Sequence, residues 1–124
     1  MSDKKIIIYT PQEIEAMRDV CRRASELLDY ITPFVKAGVS TLSLDELMLE
    51  YTEKVLEAKS ACLNYCPPGM TPYPRATCIS VNNVICHGIP SEKKILKNGD
   101  IVNIDVTIVK DGFYGDTSRM FIVG

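Results

Sequence analysis

The chain has 124 residues, of which 46% are hydrophobic and 24% charged, and a formal net charge of −2. That is long enough for one domain with a core of its own, and the composition is that of an ordinary soluble globular protein. Nearly balanced, mixed-sign charge gives no electrostatic case for a nucleic-acid or anionic-membrane partner. Apolar runs such as Ile6–Ile8 are far too short to span a bilayer.

The start, MSDKK followed by three isoleucines, lacks the apolar core of a signal peptide. Five cysteines (Cys21, Cys62, Cys66, Cys78 and Cys86) make an odd, irregularly spaced set. Such a set is a poor disulfide framework and suits a reducing compartment. Cytoplasmic residence is the expectation. A zinc site built from Cys62, Cys66, Cys78 and Cys86 is conceivable, but the spacing lacks the paired knuckles of a structural zinc module.

In chain order, residues 1–5 are polar, and Ile6 to Tyr9 are expected to form a short edge strand. Thr10-Pro11-Gln12-Glu13 is a helix start, with Thr10 as N-cap, Pro11 at the first helical position and Glu13 closing a capping box. Ile14, Met17, Cys21, Ala24, Leu28 and Ile31 then form an apolar stripe. Pro33 should kink or end that helix, and Gly38 stops any continuation beyond it. A second start is expected at Ser43, paired with Glu46. Its apolar stripe is Leu44, Leu47, Met48, Tyr51, Val55 and Ala58, running to about Lys59. Residues 60–76 are loop-like, with Cys66 to Pro72 dense in turn formers. Thr77 to Val81 reads as a strand, Asn82-Asn83 as a hairpin turn, and Val84 to His87 as its return strand. That pairing would put Cys78 opposite His87, the only histidine in the chain.

The last hairpin carries the clearest signal. From Ile101 to Val109, Val102, Ile104, Val106 and Ile108 alternate with Asn103, Asp105 and Thr107. Asp111-Gly112 is a strong two-residue turn. With that loop, Lys110 faces Phe113, Thr107 faces Asp116 and Asp105 faces Ser118. Asp105 and Asp116 become diagonal neighbours on one face, with Cβ atoms roughly 6–8 Å apart. Two carboxylates so placed could reach one divalent ion or bridge a pair. Without a cation, their mutual repulsion would raise one pKa. A slip of one residue would send Asp116 to the apolar face. On spacing alone, a solvated polar strand face is the simpler explanation of the pair.

Three segments resemble a known family: Cys86-His87-Gly88-Ile89-Pro90, then Asn98 to Val106, then Gly112-x-x-Gly115-Asp116-Thr117-Ser118. They look like type I methionine aminopeptidase, and the resemblance runs from the Thr10 helix to Gly124. It implies the N-terminal half of a pita-bread fold. In class this is α/β (more narrowly α+β), an antiparallel sheet covered by two main helices, with residues 1–124 as a single domain. It implies removal of N-terminal methionine from nascent chains by hydroxide activated between two divalent metals (Co, Mn, Fe or Zn). Asp105 and Asp116 match metal ligands, and His87 matches the catalytic histidine that contacts substrate. Cys62, Tyr65, Tyr73 and Cys78 resemble the pocket for the methionine side chain. Thr107 would lie beside the metals, and Asn82 and Val84 resemble residues around a monovalent-cation site.

Two departures from the family pattern accompany this. The family's metal-binding histidine and two glutamates find no counterpart before Gly124. Weak metal binding and little activity are therefore expected of this polypeptide alone, with self-association through the surface left by an absent second half. In addition, Pro67 to Pro72 looks inserted, which separates Tyr65 from Tyr73. A non-enzymatic partner-binding module on the same scaffold is the alternative reading.

Overall fold

The computed structural model describes residues 6–84 and 87–124. Its elements are helices α1 (Pro11–Ile31) and α2 (Thr41–Lys54) and strands β1 (Lys59–Ser60), β2 (Cys78–Val81), β3 (Ile101–Lys110) and β4 (Phe113–Ile122). Alternation along β3 does what period 2 requires. Val102, Ile104, Val106 and Ile108 are buried to 1% exposure or less, while the residues between them face the other side. Asp111 and Gly112 both adopt positive φ (53° and 82°), as a tight hairpin loop demands. The register is the expected one, with Lys110 opposite Phe113, Thr107 opposite Asp116 and Asp105 opposite Ser118.

β3 is the axis of the sheet. β4 runs antiparallel along one edge, and β1 and β2 follow one another along the other. Val20, Ala24, Leu27, Leu28 and Ile31 of α1 pack with Leu44 and Met48 of α2 onto the apolar face of β3. The opposite face of the sheet is left for chemistry.

α1 begins as expected. Thr10 Oγ1 accepts from the Glu13 backbone N–H at 3.1 Å, and Glu13 returns the bond to the Thr10 N–H at 2.8 Å. The helix ends at Ile31, and a single 3-10 turn carries Pro33. Its buried stripe differs from the expected one. Val20 and Leu27 are buried, whereas Ile14 and Cys21 are exposed. A helix that touches β3, β4 and α2 buries a wider arc than a narrow seam.

α2 starts three residues before the expected cap. Ser40 is its N-cap, accepting from the Ser43 N–H at 3.1 Å. A bridge between Ser40 and Ile95 and a bond from Thr41 N–H to the Lys94 carbonyl fix that start. The helix ends at Lys54 rather than near Lys59, because Glu57 turns to φ 52° and Val55 lies exposed.

Ile6 to Tyr9 form no strand. Ile6, Ile7 and Ile8 are all more than 70% exposed and make no backbone hydrogen bond to a strand among the described residues. The Asn82-Asn83 turn exists, since Val84 N–H reaches the Val81 carbonyl and Asn82 has φ 53°. Its return strand does not form at the residues described. Val84 and His87 are outside any strand, and Ile85 and Cys86 lie outside the described residues. Among the described residues, Ile79 N–H bonds to the Gly88 carbonyl at 2.8 Å and Gly88 N–H bonds to Ser80 Oγ at 3.0 Å. His87 at φ 59° is not extended, and β2 forms a ladder with β3.

Two close contacts position the other face. A Cβ on Gly115 would lie 2.7 Å from the Val20 carbonyl oxygen and 3.2 Å from the Cys21 Cα. Glycine is therefore what lets α1 lie directly on β4. Gly115→Ala is expected to cost about 2 kcal/mol in urea unfolding, the scale of an overpacked contact that cannot relax through a side chain. Asp45 of α2 is the second. It is 3% exposed and accepts from Thr77 N–H (2.8 Å), Thr77 Oγ1 (2.6 Å) and Ala76 N–H (3.3 Å), which ties α2 to the start of β2.

Candidate metal and substrate cleft

The face of the sheet turned away from the helices opens into a cleft of about 980 Å³. Asp105 of β3 and Asp116 of β4 stand on its floor, as the hairpin register dictates. Thr107, opposite Asp116, donates its hydroxyl to Asp116 Oδ1 at 3.1 Å. Burial holds the Asp105 carboxyl above the usual carboxylate range, and the charge of Asp116 adds to that effect. His87 works against both. Two acids close enough to perturb one another, with no basic side chain among the described residues bonded to either, form a donor pair suited to a divalent cation. Among the described residues no group of three or more His, Cys, Asp or Glu gathers around one point.

His87 lies at the cleft wall just after the Asn82-Asn83 turn, exposed and with positive φ. Gly88 beside it is sterically obligatory, because a Cβ would sit 2.2 Å from the Ile79 carbonyl oxygen. Cys62, Tyr65, Tyr73 and Cys78 all line the same cleft. Cys78 sits opposite Asp105 across the β2–β3 ladder. The neighbouring Cys62 thiol draws the Cys78 pKa down to about 6, and Cys78 in turn pushes the Cys62 thiol up. Tyr73 is half-buried and donates to the Thr77 carbonyl at 2.8 Å, and burial raises its phenol. Tyr65 is different: it is 62% exposed at the rim.

The Pro67–Pro72 segment is a closed loop. Tyr73 N–H reaches the Tyr65 carbonyl at 2.7 Å, and Asn64 N–H reaches the Tyr73 carbonyl at 2.8 Å. The two tyrosines therefore remain neighbours despite the residues between them. Cys66 turns its thiol to the Met70 carbonyl at 3.0 Å, inside that loop.

Asn82 and Val84 do not line the cleft. The Asn82 side chain accepts from Ile101 N–H and donates to Asp100, both at 3.0 Å, at the far end of β2. Sequence reasoning missed Tyr114 and Ile89, which line the cleft as well. Tyr114 was findable, since it lies two residues from Asp116 on the same face of β4.

Residues 15–124 match Metallopeptidase family M24. The chain belongs to that family. Over 96% of its length it is 56% identical to methionine aminopeptidase of Escherichia coli, and it covers 43% of that protein. It thus spans less than half the length of this relative, and the match is to the N-terminal half of the type I enzymes. The crystal structure of methionine aminopeptidase from Rickettsia prowazekii superposes with a TM-score of 0.88 at 48% identity, over 97% of this chain and 46% of that one. A Xaa-Pro dipeptidase from Bacillus anthracis shares the fold alone, with a TM-score of 0.75 at 23% identity, over 94% of this chain and 30% of that one. The pita-bread architecture, an α+β half with an antiparallel sheet and two helices, is established by these likenesses.

Proposed function

We propose that this M24 chain supplies one wall of a methionine aminopeptidase active site and acts on peptides with an N-terminal methionine. One observation carries the reading: Asp105 and Asp116 stand together on the floor of a cleft lined by two thiols, three tyrosines and the single histidine. Paired carboxylates fit hard or borderline divalent ions such as Mn, Fe, Co or Zn. When bound, such ions supply Lewis-acid polarisation and make water at the site more acidic.

The chain's own residues have separate tasks. Asp105 and Asp116 hold cations, and Thr107 orients Asp116 through its hydroxyl. His87, at the wall, is placed to donate to an oxygen on which charge develops. The sulfur and aromatic edges of Cys62, Cys78 and Tyr73 suit a thioether, with Tyr65 closing the rim. Two carboxylates are too few to retain a metal pair. The remaining ligands are therefore assigned to a second half outside these residues, and this polypeptide alone to weak metal binding and little activity. The exposed Ile101, Met120 and Ile122, together on the face away from the helices, are where that half or a second copy would rest.

The test is release of methionine from a Met-Ala peptide with Mn or Co. It compares this chain with the chain extended by a relative's C-terminal half. Activity in the extended chain alone supports the reading. A folded but inactive extended chain would overturn it in favour of a partner-binding module.

A further inference from the structure

The two cleft thiols are placed for chemistry on each other. Ala61 N–H bonds to the Thr107 carbonyl at 2.9 Å, and Cys78 pairs with Asp105. Positions 61 and 78 thus follow one another along the same edge of β3, one pleat apart. Ser60 Oγ donates to the Ala76 carbonyl at 2.8 Å and holds the two segments together just behind the cysteines. Both cysteines line the same cleft, and both are only half-buried. Cys66 is held apart by its bond to the Met70 carbonyl, and Cys21 lies exposed on α1. We propose that Cys62 and Cys78 are a redox-active dithiol that a peroxide converts to an intramolecular disulfide across the cleft wall.

The balance is simple. The Cys78 sulfur attacks one peroxide oxygen; the O–O bond breaks, and water leaves as Cys78 becomes a sulfenic acid. The Cys62 sulfur then displaces the hydroxyl, which leaves as a second water with the Cys62 proton. Two thiols and one hydrogen peroxide give one disulfide and two waters. Cross-linking would shorten the sulfur contact to about 2.05 Å and remove both thiols from the cleft.

The pairing rests on the strand geometry and the shared cleft, not on the peptidase reading, so its test needs no activity. Reduced chain is treated with one equivalent of hydrogen peroxide, digested without reductant and mapped by mass spectrometry. The expected product is a Cys62–Cys78 linked peptide that has lost two hydrogens. In Cys62→Ser that product is lost, and a sulfenic acid at Cys78 is trapped by a 1,3-dione. In Cys78→Ser both are lost. A dominant cross-link through Cys66 or Cys86 would overturn the proposal, and so would sulfinic acid at Cys78 in the unmutated chain with no linked peptide.

Discussion

Asp45→Ala is expected to lower the free energy of unfolding by about 3 kcal/mol, measured by urea denaturation with an unchanged m-value. The carboxylate satisfies three donors at once: Ala76 N–H, Thr77 N–H and the Thr77 hydroxyl. Alanine leaves all three without it in a buried corner, and each orphaned buried donor costs about 1–3 kcal/mol. The loss is partly offset, because burial already pushes the Asp45 carboxyl up and shows that its charge is uncomfortable there. Asp45→Asn keeps one oxygen for Thr77 and is expected to lose about half as much. The consequence reaches the cleft. Thr77 precedes Cys78, and its carbonyl takes the Tyr73 hydroxyl, so loosening this corner loosens the pocket wall. A loss below about 1 kcal/mol for the alanine variant would show that water replaces the carboxylate cheaply, and that the corner is not held by this charge.

The contrast between Asp45 and Asp105 explains what could be read in advance. Asp105 sits in a hairpin whose turn, alternation and partner are all within a few residues of one another. Local rules there fix the register, and the register fixes the cleft floor. Asp45 belongs to a polar stripe of Thr41, Asp45 and Thr52 beside Met48, all buried. The spacing was visible, but its partner lies more than thirty residues away at Thr77. The same distance problem hid the ladder between β2 and β3. Ile6 to Tyr9 had strand chemistry but pair with no strand among the described residues. The α1 stripe was displaced because its width depends on what packs around the helix. For the cleft, family resemblance brought together the residues that local rules could not: His87, Cys62 and Tyr73 come from three separate segments, and all reach the wall where Asp105 and Asp116 form the floor.

Asp116→Asn is expected to move stability and cation binding in opposite directions. Binding of Mn, followed by calorimetry, should weaken by at least about tenfold, or about 1.4 kcal/mol, since one of two charged donors is gone. The cation-free chain should gain about 0.5 kcal/mol at neutral pH, the scale of a partly solvated charge pair. The amide oxygen of the introduced asparagine would still accept the Thr107 hydroxyl, so the hairpin itself is not disturbed. The pH dependence separates these effects. Asp105 is held above the ordinary carboxylate range, first by burial and then by Asp116. A carboxyl raised on folding contributes stability that is complete below its unfolded value, near about 3.9, and is lost as pH rises through the folded value. The unmutated chain should therefore lose stability over that interval as pH rises. In Asp116→Asn the repulsion is absent, the Asp105 titration seen by carboxyl NMR falls towards its ordinary value, and the loss narrows to the burial contribution. Added Mn should reverse the ranking, because a cation bound only to the folded state stabilises the unmutated chain by mass action. An Asp105 titration unmoved by the substitution would mean that the two carboxylates do not face a common cation, and the metal reading of the cleft would fall with it.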